Sequence, residues 1–185
     1  MNRGELKEEV SLIKRFQSGE PEVFNTLVLH YNQAIFGLCF KFLHSSEDAN
    51  DCAQESFIKA YKGLSKFNLQ SRFSTWLYRI TVNTCLNRLG SVSRKKEVAI
   101  DESQNIAGST NEHPDNIVEN KHIQKHIKLC MEKLLEEHKA VVVLRDVEGL
   151  SYEDVAQVLG KTLGTVKSRL ARARGKLRVC LEGVL

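Results

Sequence analysis

The residues with the most chemistry to offer lie between Lys161 and Arg178. Lys161, Lys167, Arg169, Arg172, Arg174, Lys176 and Arg178 follow one another there with no acid among them. Val166, Leu170, Ala173, Leu177 and Cys180 recur at alternating steps of four and three, a narrow apolar stripe on an otherwise cationic helix. Such a helix suits a major groove lined by phosphates, and equally a solvated face or an anionic membrane surface. The preceding residues narrow the choice. Ser151 is placed to cap a short helix, with Asp154 three residues on and Val155, Val158 and Leu159 giving it an apolar side. Gly160 is a natural stop, and Thr162 can cap the cationic helix that follows. Two helices about a glycine turn, the second one basic, are the layout of a helix-turn-helix.

Three further groups of side chains call for a chemical reading. Between Arg72 and Arg88, Trp76, Tyr78, Arg79, Asn83 and Asn87 crowd one segment. Rings stack on unpaired bases, amides read base edges and guanidiniums hold phosphates; the plainer reading makes Trp76, Leu77 and Ile80 core and the rest surface. Asp48, Asp51 and Glu55, with Gln54 at the edge, share one arc of a helix whose opposite arc carries Ala49, Ala53, Phe57, Ala60, Tyr61 and Leu64. That acidic arc faces either solvent or a partner. His122, His126 and Cys130 fall at steps of four, a spacing that lets two of them share a metal, but zinc needs further ligands and none is evident. No metal and no cofactor is expected. GxxxxGK[ST], HExxH and GxGxxG are all absent from the chain, so nothing points to an enzyme.

The elements that must position these groups read as helices throughout. Leu6, Val10, Ile13 and Phe16 mark a short first helix, broken at Ser18 to Pro21. A long helix from about Pro21 to Leu43 carries Phe24, Leu27, Tyr31, Ile35, Leu38, Cys39 and Phe42 at helical spacing. Ser45 and Ser46 offer caps for the acidic helix, about Glu47 to Leu64. After a polar loop, Ser74 offers a cap for a fourth helix to about Leu89. Periodicity stops at Ser91. Residues 97–119 hold six acids, no Lys or Arg, and several Ser and Asn with Gly108, which reads as a linker. A helix of about Ile117 to Leu135 opens the second half. Ala140 to Leu144 (AVVVL) has strand propensity but no partner strand, so a buried helix ending at Gly149 is expected, with Leu144 and Val147 inward.

Composition fits this picture. The chain has 185 residues, 42% hydrophobic, with a formal net charge of +4 that is concentrated locally. Five cysteines lack any CxxC pairing, and most sit in apolar helical contexts, as small hydrophobes of a reducing cytosol do. No apolar run approaches the ~20 residues that span a bilayer. The expectation is a soluble cytoplasmic protein, all-α, with two small helical domains joined by an extended linker, the C-terminal one a helix-turn-helix.

Three stretches, in order, resemble one family. EDANDCAQESFIKAY is similar to DAEDLVQETFLRAW, RFSTWLYRITVN to FRTWLYRIAxN, and LRDVEGLSYEDVAQVLGKTLGTVKSRLARAR to the terminal promoter-reading segment of bacterial RNA polymerase sigma factors of the extracytoplasmic function (ECF) group, within the sigma-70 family. The resemblance covers almost the whole chain. It implies a transcription initiation factor that binds core RNA polymerase, directs it to promoter DNA and assists strand opening, with an anti-sigma factor as a common regulator. It further implies a monomer when free, with no direct membrane insertion. The implied domains are 1–90 (region 2), 91–118 (acidic linker, near the path of RNA) and 119–185 (region 4).

The resemblance assigns roles by position. Asp48, Asp51, Gln54 and Glu55 dock on the polymerase. Phe67, Asn68, Leu69, Gln70 and Ser71 form the loop that captures a flipped minus-ten base. Asn83 and Asn87 face the opened strand, with Arg72, Tyr78, Arg79 and Arg88 as further candidates. Thr165, Lys167, Ser168, Ala171 and Arg172 face the minus-35 element, and Arg169 and Arg174 are assigned to phosphates. Asn50, Cys52 and Ala53 depart from the family's Glu, Leu and Val, and Lys161-Thr162 from its Ile-Pro. The rival readings are a dimeric activator, which leaves the acidic arc idle, and an enzyme or metal sensor built on His122, His126 and Cys130.

Overall fold

The computed structural model describes residues 3–99 and 126–182. Among them there are helices and no strands. In chain order these are α1 (Arg3–Gln17), a 3-10 turn (Pro21–Val23), α2 (Phe24–Leu43), α3 (Ser46–Leu64), α4 (Phe73–Ala99), α5 (126–132), α6 (Glu136–Val142) continuing into a π-helical turn (Val143–Val147), α7 (Tyr152–Leu159) and α8 (Leu163–Glu182). No described helix is long and apolar enough to cross a membrane.

Helices α1 to α4 form the first bundle. α2 is its spine: Leu27, Ile35, Leu38, Cys39 and Phe42 are almost completely buried, and α3 and α4 pack on it. His44 ends α2 in the left-handed region (φ 56°), its N–H bonded to the Phe40 carbonyl. Ser45 then caps α3, its hydroxyl accepting from the Asp48 N–H at 3.2 Å. The apolar arc of α3 packs inward as its spacing requires, through Ala49, Ala53, Phe57, Ala60 and Leu64. α4 differs from expectation at both ends. It begins at Phe73, with the Trp76 N–H bonded to the Arg72 carbonyl, so Ser74 lies within the first turn and its hydroxyl bonds Tyr31 instead. It also runs to Ala99, past the expected end at Leu89. The apolar periodicity does fade there, but Arg, Lys and Glu are good helix formers and carry the backbone on. The rest of the expected linker, 100–118, lies outside the described residues.

The second bundle packs α6 on α8 and α7 on both the turn and α8. Ala140, Val141, Val142, Val143 and Leu144 are all buried, so the strand-like run is a helix, as its lack of a partner strand demanded. Val147, expected inward, is 52% exposed. The π turn is the cause: widening the helix by one residue rotates Val147 off the inner face. Of the expected helix of Ile117 to Leu135, only 126–132 lie within both the described residues and a helix. Lys133 and Leu134 form a turn, and the next helix starts at Glu136.

The cysteines divide into two kinds. Cys39, Cys52 and Cys85 are buried free thiols of the first bundle. Cys130 and Cys180 are bonded to each other as a disulfide, with Cα atoms 5.9 Å apart, which corrects the reading of every cysteine as a simple small hydrophobe.

Candidate nucleic-acid interface

The helix-turn-helix forms through the caps its sequence offers. Ser151 Oγ accepts from the Asp154 N–H at 3.0 Å, and Gly160 closes α7 at φ 60°. Lys161 N–H bonds back to the Ala156 carbonyl at 3.0 Å, the pattern that ends a helix on a left-handed residue. Thr162 Oγ1 accepts from the Thr165 N–H at 3.2 Å and starts α8. Val166, Leu170 and Ala173 then turn inward, leaving Lys167, Ser168, Ala171 and Arg172 exposed. Thr165 is half-buried, and Ser168 donates its hydroxyl to the Thr165 carbonyl at 3.0 Å. The two arginines assigned to phosphates also pair with acids of their own bundle. Arg169 pairs with Glu137 at 2.5 Å, and Arg174 reaches both oxygens of Asp146, at 2.5 and 3.0 Å.

The acidic arc of α3 is also partly engaged from within. Arg88 on α4 reaches Asp48 and Asp51, both at 2.9 Å, and Lys59 pairs with Glu55 at 2.7 Å while donating to Thr84. Arg88, a candidate for DNA, thus ties α4 to α3. Asp51 still presents 60% of its side chain to solvent, and Gln54 and Glu55 are exposed.

The 67–71 loop has a rigid root and an open tip. Phe67 is 7% exposed, packed on Trp76 at 4.9 Å and Phe73 at 6.2 Å between ring centroids, so it anchors the loop rather than meeting a base. Gly63 allows this packing, since a Cβ there would lie 3.1 Å from the Trp76 ring. Asn68, Leu69 and Gln70 form the exposed tip and Ser71 is half-buried. Leu69 takes φ 58°, a conformation costly for a side chain with a Cβ and concentrated at binding sites. Along α4, Arg72, Arg79, Asn83 and Asn87 are exposed. Tyr78 is not available in the same way: burial first, then the Glu148 carboxylate, raises its hydroxyl to about 12, and it donates to Glu148 at 3.5 Å.

The loop and the helix-turn-helix face each other. Lys66, Gln70, Trp76 and Arg79 on one side and Gln157 and Lys161 on the other line a cleft of about 660 Å³. Further ties join the two bundles. Lys41 and Glu148 pair at 2.5 Å, and Thr75 Oγ1 lies 3.3 Å from Asp154. The buried Lys139 ammonium donates to the Phe42 carbonyl at 2.8 Å and lies 3.1 Å from His44 Nε2. Burial and then Lys139 push the His44 pKa below its ordinary value; Lys128 acts the same way and Glu132 opposes. His138 is lowered too, by burial first and then Lys176. For both, the unfolded chain takes up protons more readily than the folded one. Their contribution is therefore complete above the unfolded value of ~6.5 and is lost as pH falls below it. The denaturant midpoint is expected to drop between about pH 7.5 and about pH 5.5, and His44→Gln should shrink that drop. An equal drop in the variant would place the pH sensitivity elsewhere.

Comparison with known proteins fits this arrangement. A family profile described as Sigma-70 region 2 matches residues 27–95, and one described as Sigma-70, region 4 matches residues 125–177. The RNA polymerase sigma-H factor of Pseudomonas aeruginosa is 36% identical over 186 residues, spanning 97% of this chain and 96% of its own. The ECF RNA polymerase sigma-E factor of Haemophilus influenzae is 36% identical over 171 residues, spanning 89% and 90%. The chain belongs to the ECF group of the sigma-70 family. The sigma factor RpoE of Bartonella quintana, solved with the anti-sigma factor NepR, has the same fold (TM-score 0.67, 22% identity, 88% of this chain and 98% of that one).

Several residues that position this sigma factor's surfaces carry no sequence signal of their own. Gln17, at the end of α1 and before the region 2 match, donates to the Leu64 carbonyl at 3.0 Å and the Phe67 carbonyl at 2.7 Å, fixing the loop's root. Arg145 lies over the Tyr152 ring at 4.7 Å and Lys167 approaches it at 5.7 Å, so a ring on α7 helps place a cation of the exposed face of α8. Of the expected metal stripe, His122 lies outside the described residues and Cys130 is bonded to Cys180. No group of three possible metal ligands occurs among the described residues.

Proposed function

We propose that the chain is a promoter-specificity subunit of bacterial RNA polymerase, without catalysis of its own, working in the cytoplasm where polymerase and chromosome meet. The observation that carries this reading is the presence on one chain of an exposed acidic helix face, a loop strained at Leu69 and a helix-turn-helix with a cationic outer face. A simple DNA-binding regulator needs only the last. Asp48, Asp51, Gln54 and Glu55 dock on core polymerase. Asn68, Leu69, Gln70 and Ser71 take an unstacked minus-ten base, whose removal from the stack costs a few kcal/mol, and Arg72, Arg79, Asn83 and Asn87 line the path of that strand. Phe67 and Arg88 hold these parts in place. On duplex DNA, Lys167, Ser168, Ala171 and Arg172, with Thr165 at the edge, read the minus-35 element, the Ala171 methyl being suited to a thymine methyl. An anti-sigma factor is the expected regulator, supported by the company in which the Bartonella relative was solved.

Reconstitution tests the reading. Core polymerase supplemented with this chain should initiate at a discrete set of promoters on bacterial DNA that core alone ignores. Failure of the chain to associate with core would overturn it. Within that reading, Arg172→Ala should weaken minus-35 duplex binding by ~1–3 kcal/mol, the worth of a good base contact, and relax the sequence preference at one position. Uniform weakening across all sequences in competition binding would instead assign Arg172 to phosphate.

A further inference from the structure

Helix α8 is well packed where it reads DNA and poorly packed where it ends. Val166, Leu170 and Ala173 are buried, but Leu177 and Cys180 are only half-buried and Val179 is 68% exposed. The last turn of α8 is joined to the rest of the bundle by the Cys130–Cys180 bond. Cys130 lies on α5, the first described helix after residues 100–125, and is 4% exposed. A sequence separation of 50 residues encloses α6, the π turn, α7 and nearly all of α8 in one covalent loop.

The other three thiols contrast with this pair. Cys39, Cys52 and Cys85 lie at 0% exposure within the first bundle. Burial raises the Cys52 thiol, and a hydrogen bond with Cys39 together with burial raises Cys85 well above the ordinary range. Thiols kept protonated and out of reach of solvent are inert, whereas a half-exposed thiol with a second sulfur in bonding position is the usual arrangement of an oxidisable pair.

We propose that Cys130 and Cys180 are a reversible oxidative modification site, a thiol–disulfide pair that closes the helix-turn-helix bundle covalently in the presence of a peroxide or a low-molecular-weight disulfide. With hydrogen peroxide, the more accessible Cys180 sulfur is oxidised to the sulfenic acid as the O–O bond breaks and one water leaves. Cys130 sulfur then attacks it, the S–S bond forms and the second water leaves. The two thiols lose two electrons and two protons, and the peroxide gains them. With oxidised glutathione, the same electrons and protons leave as two molecules of the reduced thiol, and excess thiol reverses the step. Arg172 lies two turns before Cys180, roughly 12 Å along the axis, so the bond clamps the far end of α8 without touching its reading face. Oxidation therefore changes how firmly the reader is held together, not which sequence it reads.

The full-length chain tests this directly. Titration with hydrogen peroxide, and separately with oxidised glutathione, should give an intramolecular disulfide. Proteolytic mass spectrometry should find it between the Cys130 and Cys180 peptides, with Cys39, Cys52 and Cys85 still alkylatable after denaturation. The oxidised chain should melt higher than the reduced chain by roughly 10 °C or more in the transition of the second bundle. Cys180→Ser and Cys180→Ala should both match reduced wild type in melting temperature and in duplex binding under thiol, and lose the oxidant-induced rise. Absence of the 130–180 cross-link under both oxidants overturns the proposal, as does equal melting of the oxidised and reduced forms, or oxidation of the three core thiols first. Because no polymerase is involved, these results stand apart from the reconstitution experiment.

Discussion

Arginine in place of Asp51 is expected to cut association with core RNA polymerase at least tenfold. Asp51 offers 60% of its carboxylate-bearing side chain to solvent on the outer face of α3, between Asp48 and Glu55. Reversal removes the central negative charge of that arc and sets a second guanidinium where Arg88 already reaches across from α4 at 2.9 Å. A basic docking surface would then meet a net repulsive patch, and like charges brought together at an interface cost several kcal/mol, more than the ~1.4 kcal/mol that a tenfold loss represents. The fold should be indifferent, because an ion pair this exposed contributes only ~0–1 kcal/mol. Titration of labelled chain with core polymerase, with helicity followed by circular dichroism, checks both halves. Asp51→Asn should fall between wild type and the reversal. Undiminished association of the arginine variant would remove α3 as the docking face.

Leu144→Ala is expected to destabilise the second bundle by ~2–5 kcal/mol, enough to leave much of it unfolded at growth temperature. Leu144 is fully buried within the π turn, sharing a core with Val155, Val166 and Leu170. Its carbonyl accepts the Leu150 N–H at 3.1 Å, the bond that hands the chain from the turn to α7. Truncation opens a cavity beneath the reading helix, and minus-35 duplex binding should be lost with the fold. Val147→Ala, three residues on, should change stability by less than ~0.5 kcal/mol because that side chain already faces solvent. Denaturation followed by far-ultraviolet signal, beside duplex binding at the same temperature, compares the two. Similar losses in both variants would mean that the widened turn does not rotate Val147 outward in solution.

The contrast between these valine and leucine positions shows where sequence reading succeeds and where it stops. Helical period identified α1, α2, α3 and α8, and side chains able to cap identified the ends of α3 and α7, because both signals act within a few residues of chain. Val147 faces outward against its helical period because a π turn shifts phase without announcing itself in residue type. Sequence alone does not reveal that Arg88, Arg169 and Arg174 also pair with acids, because cations along a helix look alike in sequence. The acid standing opposite each, on α3, α6 or the π turn, is a tertiary fact. The packing of Phe67 on Trp76 and the bond from Tyr78 to Glu148 are equally hidden from the sequence. Gln17 could not be found at all: an amide that satisfies two carbonyls 47 and 50 residues away leaves no local pattern.

The ties that Glu148 and Lys139 make between the bundles act on populations as well as on shape. Where the arrangement with the Gln70 tip facing the turn at Lys161 exchanges with an open one, any ligand that needs the two bundles apart binds only the fraction in which they have separated. Each ~1.4 kcal/mol by which those ties favour closure lowers the apparent affinity of such a ligand tenfold. A partner that grips both bundles as they stand meets no such handicap. The same few side chains therefore bias the chain toward partners that hold it shut, and leave the work of prising it open to whatever surface can bind each half separately and more tightly than the halves bind each other.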